Sequence, residues 1–193
     1  MSIASAAAAA VATFPDVQVA TPYGTYSLPV VMTAIAGAET GGTFSDSAAG
    51  DPASDYPGVP ECQGQTSWGL WQIHFVHASY LESVTGSSDP CTWATWLSTP
   101  INCARAALAV LGPDVNLSAW TTWNEGTYSA WLAPAQQAVQ AVQAAPGSPT
   151  TSGENGGQSA GPGILGNLAP LLVVAGFAVG LVVLGVADLR GRL

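Results

Sequence analysis

The sequence predicts a mainly α-helical domain followed by a flexible linker and a single transmembrane helix, and three stretches carry that prediction. In Val30 to Glu39, the residues Val31, Ile35 and Glu39 recur four apart with Val30, Ala34 and Ala38 beside them, the spacing of one helix face. From Ala145 to Gly163 the composition turns to Pro, Gly, Ser, Thr and Asn, which gives a flexible linker. Ile164 to Ala187 carries no charge, and the stretch from Leu168 to Ala187 matches the roughly 20 apolar residues that span a bilayer. The expected organisation is a leader over 1–27, a helical domain over 28–144, a linker over 145–163, a transmembrane helix over 164–187 and a short basic tail over 188–193.

Met1 to Thr13 is an alanine run with no Lys or Arg at its start, so it fits a signal peptide poorly and is expected to be a disordered or weakly helical leader. Phe14 to Tyr26, with Pro15, Pro22 and Gly24, is expected to be an extended lead-in. The first helix then takes Ser27 as its cap and Pro29 in its first turn, and it ends at Gly41-Gly42. Glu39 falls in its last turn. Apolar neighbours and the negative end of the helix dipole both disfavour the ionised carboxyl, so a raised pKa is expected, the setting a proton donor near neutral pH needs. A helix-ending Glu open to water is the plain alternative.

Thr43 to Gln65 holds Gly50, Pro52, Pro57, Gly58, Pro60 and Gly64 and is expected to be loop. Asp46, Asp51, Asp55 and Glu61 cluster there, as solvated acids or as the source of a second carboxylate. Trp68 to Val76 reads as a strand or buried turn with Gln72 as its polar exception. His77 to Val84 and Cys91 to Leu97 read as short helices. Ser98-Thr99-Pro100 opens a helix that buries Ala104, Ala107, Leu108 and Leu111 and stops at Gly112-Pro113. A last helix starts at Thr127 or Ser129 and runs through Ala144, kinked at Pro134, with Ala138, Val139 and Val142 inward.

Charge excludes one large class of function. Only 8% of residues are charged, Lys is absent, and Arg105, Arg190 and Arg192 are the only cations. Nucleic-acid binding needs a basic surface, which this chain lacks. Three cysteines leave Cys91 to Cys103 or Cys62 to Cys91 as the plausible bridges. Neither His74 nor His77 has a second ligand at a zinc spacing, so no metal and no cofactor are expected.

Two further stretches carry a family resemblance. Ser67-Trp68-Gly69-Leu70-Trp71-Gln72-Ile73 resembles the G-L-M-Q-I element of soluble lytic transglycosylases and goose-type lysozymes, with Trp71 in the Met place. Trp123-Asn124-Glu125-Gly126 resembles their Y-N-x-G element. Ala34 to Phe44 is similar to the family's Ala/Ile-rich helix ending in Glu-Ser, with Thr40 for Ser, and Pro100-Ile101-Asn102 resembles its Asn-started helix. These matches fall in the family's order over roughly Leu28 to Ala144, a plan that resuscitation-promoting factors and actinophage tail lysozymes share.

The resemblance implies a lysozyme-like fold that cleaves the β-1,4 bond between N-acetylmuramic acid and N-acetylglucosamine. Glu39 would be the catalytic acid, and Gln72, Asn124, Tyr128, Trp123 and Trp71 would contact the glycan or orient the acid. Trp123 stands where the family has a Tyr whose hydroxyl meets the acid, so Tyr128 is expected to supply that hydroxyl; Trp68 and Trp71 are expected to offer stacking faces. The lytic transglycosylase course, in which the substrate's own 6-hydroxyl attacks, is preferred over hydrolysis. Arg190 and Arg192 place the tail on the cytoplasmic side or an equivalent interior, so the catalytic domain faces outward from a cellular or virion membrane. The expected partners are peptidoglycan strands and a lipid bilayer. The alternative on the same residues is an inactive lysozyme-like protein that binds glycan or builds a membrane or virion assembly.

Overall fold

The computed structural model describes residues 2–145. The linker beyond Ala145, the expected transmembrane helix over 164–187 and the basic tail lie outside the described residues. Among the described residues no helix is long and apolar enough to cross a membrane.

The domain is mainly helical, with two small antiparallel sheets. Helix α1 (Ile3–Thr13) leads into the hairpin β1 (Gln18–Thr21) and β2 (Gly24–Ser27), which turns through Pro22-Tyr23 and feeds straight into α2 (Leu28–Glu39). A three-stranded sheet follows: β3 (Ala49–Pro52), β4 (Gln65–Trp68) and β5 (Ile73–His74), in that spatial order. Then come α3 (Ala78–Thr85), α4 (Pro90–Leu97), α5 (Pro100–Leu111), the short α6 (Thr121–Asn124) and α7 (Leu132–Gln143).

The alanine run, expected to be disordered or weakly helical, is a buried helix. As α1 it packs against α2, α5 and α7, and Ala6, Ala7 and Ala10 are fully buried. Alanine has the highest helix propensity and no side-chain entropy to lose, and its small side chain lets three helices approach closely. Low hydropathy contrast made the run look weak, yet Phe14 at its end seats edge-on against Trp71 at 5.6 Å. The expected extended lead-in is the β1–β2 hairpin.

Helix α2 is the centre of the core, buried from Leu28 to Gly37. Trp71 is also fully buried and donates its indole N–H to the Met32 carbonyl at 2.8 Å, while its own carbonyl accepts from Trp120 Nε1 at 2.9 Å. Burying an aromatic of this size with its polar handle satisfied stabilises by several kcal/mol, on the order of 3–5 as measured by truncation.

Thr43 to Gln65 is not all loop, because Gly50 and Pro52 lie in β3. Pro52 is tolerated on an edge strand, and the missing side chain of Gly50 leaves room for Gln72, whose Oε1 would lie within 2.4 Å of a Cβ there. The turn from β4 to β5 packs Gly69, at φ +84°, so tightly that a Cβ would meet Cys103 Sγ and the Leu97 carbonyl. Helices α3, α4 and α5 fall where expected, α5 ending at Gly112 with φ +64°. Pro134 does not kink the last helix. A 3-10 segment over Thr127–Trp131 precedes it, and α7 starts at Leu132, which puts Pro134 in the first turn where its missing N–H has no partner to lose. Of the two bridges weighed, Cys62–Cys91 forms and Cys103 is a buried thiol, pushed up to about 12 by burial.

Candidate active site

Glu39 is the last residue of α2, half-buried. The chain turns immediately after it: Gly42 N–H bonds the Gly37 carbonyl at 2.7 Å and Gly41 N–H the Ala38 carbonyl at 3.2 Å, with Gly41 left-handed at φ +56°. That pattern is a Schellman close, and glycine fits its left-handed position without strain. Thr40 completes it. Its hydroxyl donates to the Ala36 carbonyl at 2.8 Å and accepts from Phe44 N–H at 3.0 Å, so a threonine fastens helix end to loop. Trp131 lies over Gly37 and Gly42, where a Cβ would come within 2.8 Å and 2.5 Å of its ring, and Phe44 meets it edge-on at 5.4 Å. The acid's backbone is therefore clamped on two sides.

Thr122 Oγ1 donates to Glu39 Oε1 at 2.6 Å. Burial raises the Glu39 pKa above its ordinary value, the Thr122 hydroxyl opposes this, and the nearby charge of Asp51 and, more weakly, of Glu125 raise it again. Desolvation and like charge both favour the protonated acid, while the threonine fixes which oxygen is held. The result is a carboxyl biased toward carrying a proton and aimed by a residue from a distant segment.

Of the four acids between Thr43 and Gln65, Asp51 is the one whose charge reaches Glu39. It lies in β3 with φ +58°, accepts a hydrogen bond from the buried Ser67 hydroxyl through Oδ2, and its carbonyl accepts from Thr66 Oγ1 at 2.8 Å. The pairing of β3 with β4 places it, since Gly50 faces Ser67 in the register. Asp46, Asp55 and Glu61 have no such fixed place beside Glu39; Asp55 accepts only from its neighbour Ser54.

The expected contacts around the acid are redistributed. Gln72, at φ +46°, donates its amide hydrogens to backbone, to Ala48 O at 3.0 Å and Gly69 O at 2.9 Å, so that they brace the loop carrying Asp51 and are not given to Glu39. Trp71 and Trp68 are core anchors and offer no stacking face; Trp68 Nε1 donates to Ser98 Oγ at 3.0 Å. Asn124 donates to the Ser118 carbonyl at 2.9 Å and holds the turn before α6. Tyr128 is buried, its phenol beside Thr21 of the β1–β2 hairpin. The hydroxyl on Glu39 comes instead from Thr122, one residue before the Trp of the W-N-E-G element. Sequence offered one signal for it, a Thr-Thr pair opening the turn that carries this element.

Trp123 does line a cleft. It stacks on Tyr128 with centroids 4.8 Å apart, Tyr23 meets Tyr128 edge-on at 6.1 Å, and these rings with Pro22, Asn124, Glu125 and Gly126 bound about 410 Å³. Among the described residues no group of three His, Cys, Asp or Glu side chains gathers in the way a metal ion needs. Compared with known proteins, the chain matches no family model, no curated protein and no solved structure.

Proposed function

We propose that this protein is a lysozyme-like, glycan-cleaving enzyme that cuts the β-1,4 bond between N-acetylmuramic acid and N-acetylglucosamine, with Glu39 as general acid. The observation that carries it is the pairing of a half-buried carboxyl, its proton favoured by burial, with a hydroxyl that orients it from a distant helix. In the reaction Glu39 gives its proton to the bridging oxygen as the bond from that oxygen to C1 breaks, and C1 then takes its new bond from a hydroxyl oxygen that loses its proton to a base. In a lytic transglycosylase that hydroxyl is the muramoyl 6-hydroxyl, and the ionised Glu39 takes its proton back.

Asp51 favours a second course. A carboxylate held by Ser67 within electrostatic reach of the acid is the group an inverting hydrolase uses to take a proton from attacking water. Mass spectrometry of the products separates the two: 1,6-anhydro ends mark transglycosylation, reducing ends mark hydrolysis. The Thr40 substitution gives no support to an inactive protein, since Thr40 keeps the helix end tied to its loop.

The enzyme reading is tested by zymography or turbidity clearing with the full chain against Glu39→Gln. Loss of about a hundredfold or more is expected, and equal lysis by both would remove the mechanism. We further propose that residues 164–187 anchor the chain in a cellular or virion membrane with the catalytic domain on the outer side, which alkaline extraction and protease protection would check.

A further inference from the structure

We infer that the slot between Tyr23 and Trp123 is a subsite for an uncharged N-acetylhexosamine ring, and that Glu125 at its rim turns away sugars that carry a carboxylate. The inference rests on the proposed role of Glu39 in glycan cleavage. A sugar offers two kinds of surface, an apolar C–H face with its acetyl methyl and a rim of hydroxyl and amide donors. The slot matches both.

Its walls are aromatic. Tyr128 is the buried floor, Trp123 lies flat on it, and Tyr23 stands edge-on beside it and is half exposed. Gly126 lets the Tyr23 hydroxyl come close to the backbone of the opposite wall: its φ is +74°, and a Cβ there would come within 3.0 Å of that hydroxyl. Tyr23 is supplied by the β1–β2 hairpin, whose turn is fixed by Thr21 donating to the Gly24 carbonyl at 2.8 Å and accepting from Tyr23 N–H at 3.0 Å. The N-terminal segment thus builds a wall of the cleft. A volume of about 410 Å³ is in the range of small-ligand clefts.

Its rim carries acceptors. Asn124 places one amide N–H on the Ser118 carbonyl, which leaves its carbonyl oxygen and its second N–H, and Glu125 presents a carboxylate. Both suit the O–H and N–H donors of a neutral amino sugar. An anionic sugar meets repulsion instead, since Glu125 lies near Glu39, Asp51 lies near it too, and Arg105, the one cation among residues 2–145, lies beside Tyr80. Glu125 is exposed at this rim, so the repulsion is strongest at low salt and is screened as salt rises.

The test uses the full chain with Glu39→Gln, so that ligand is bound and not consumed, and a matched pair of probes: the N-acetylglucosaminyl-N-acetylmuramic acid disaccharide with its lactyl carboxylate free, and the same disaccharide with that group amidated. Tryptophan fluorescence or calorimetry reads the affinity. The amidated probe should bind about tenfold tighter at low salt, the gap should shrink in 0.5 M salt and on Glu125→Gln, and Tyr23→Ala with an unchanged circular dichroism spectrum should weaken it about tenfold. Equal affinity for the two probes, or a Tyr23→Ala variant that binds as its parent does, overturns the subsite. Cell-wall cleavage by the wild-type chain, run in parallel, judges Glu39 separately: its absence removes the enzyme reading and leaves the binding result standing.

Discussion

Thr122 and Glu39, 83 positions apart in sequence, meet through a 2.6 Å hydrogen bond in which the threonine hydroxyl donates. The bond stabilises the ionised carboxylate more than the acid, so it opposes the burial that raises the Glu39 pKa. Thr122→Val removes the donor with little change in shape. The Glu39 pKa then rises further, and the alkaline limb of the pH profile of kcat/KM, which reports loss of the acid's proton, moves to higher pH. Lost aim should lower kcat on the order of tenfold, as for one hydrogen bond to a charged group. Thr122→Ser should restore both, and an unmoved alkaline limb in the valine variant would remove Thr122 from the site.

Glu39 also sets a dependence of stability on pH. Its folded pKa lies above the ordinary value, so folding prefers the protonated acid. That contribution is fully present below the ordinary carboxyl range and is lost as pH rises through the folded pKa. Glu39→Gln stays neutral throughout and can still accept from Thr122. Its melting temperature should therefore match the wild type in acid and exceed it increasingly toward neutral pH. Melts by circular dichroism across that range check the sign, and a variant less stable than wild type at neutral pH would contradict it.

The sequence marked the acid because its signals were local: four-residue spacing, a proline in the first turn and two glycines after the last. The same locality explains α3, α4 and α5. What it missed depends on partners far along the chain. Trp71 and Gln72 looked like cleft residues, but Met32 lies above one and Ala48 beside the other, and no spacing announces those contacts. Asp51 was one acid among four until the pairing of β3 with β4 set it against Ser67. The alanines of α1 carry little hydropathy of their own and become core only because α2, α5 and α7 close on them.

Trp131 holds the turn after Glu39 by lying on Gly37 and Gly42. Gly42→Ala puts a methyl into the ring and forces a φ of +83° on a residue with a Cβ. Overpacking and backbone strain act together, and a loss of roughly 2–4 kcal/mol is expected from denaturant unfolding. Gly37→Ala carries the packing term without the strain and should lose less, about 1–3 kcal/mol, offset in part by alanine's better helix propensity. Trp131→Leu should relieve some of the Gly42→Ala loss. Additive effects of the two substitutions would show that the ring is not the obstacle.

The Cys62–Cys91 bridge ties the connection between β3 and β4 to the start of α4 across 29 positions, while Cys103 stays a buried thiol. On the chain-entropy account, closing a loop of that length stabilises by about 3–4 kcal/mol, so Cys62→Ser should lower stability by that order and Cys91→Ser by the same. The effect on function should be local as well. Cys62 pairs with Gln65 beside the strand that sets Asp51, so loosening the bridge should impair hydrolytic product more than binding of glycan. Thiol titration gives the independent check: the wild-type chain should react at no cysteine while folded, because burial pushes the Cys103 thiol up to about 12, and at one when unfolded without reductant. Three reactive thiols in the unfolded chain would mean that the bridge does not form, and a Cys62→Ser variant as stable as its parent would mean that it does not hold the hairpin.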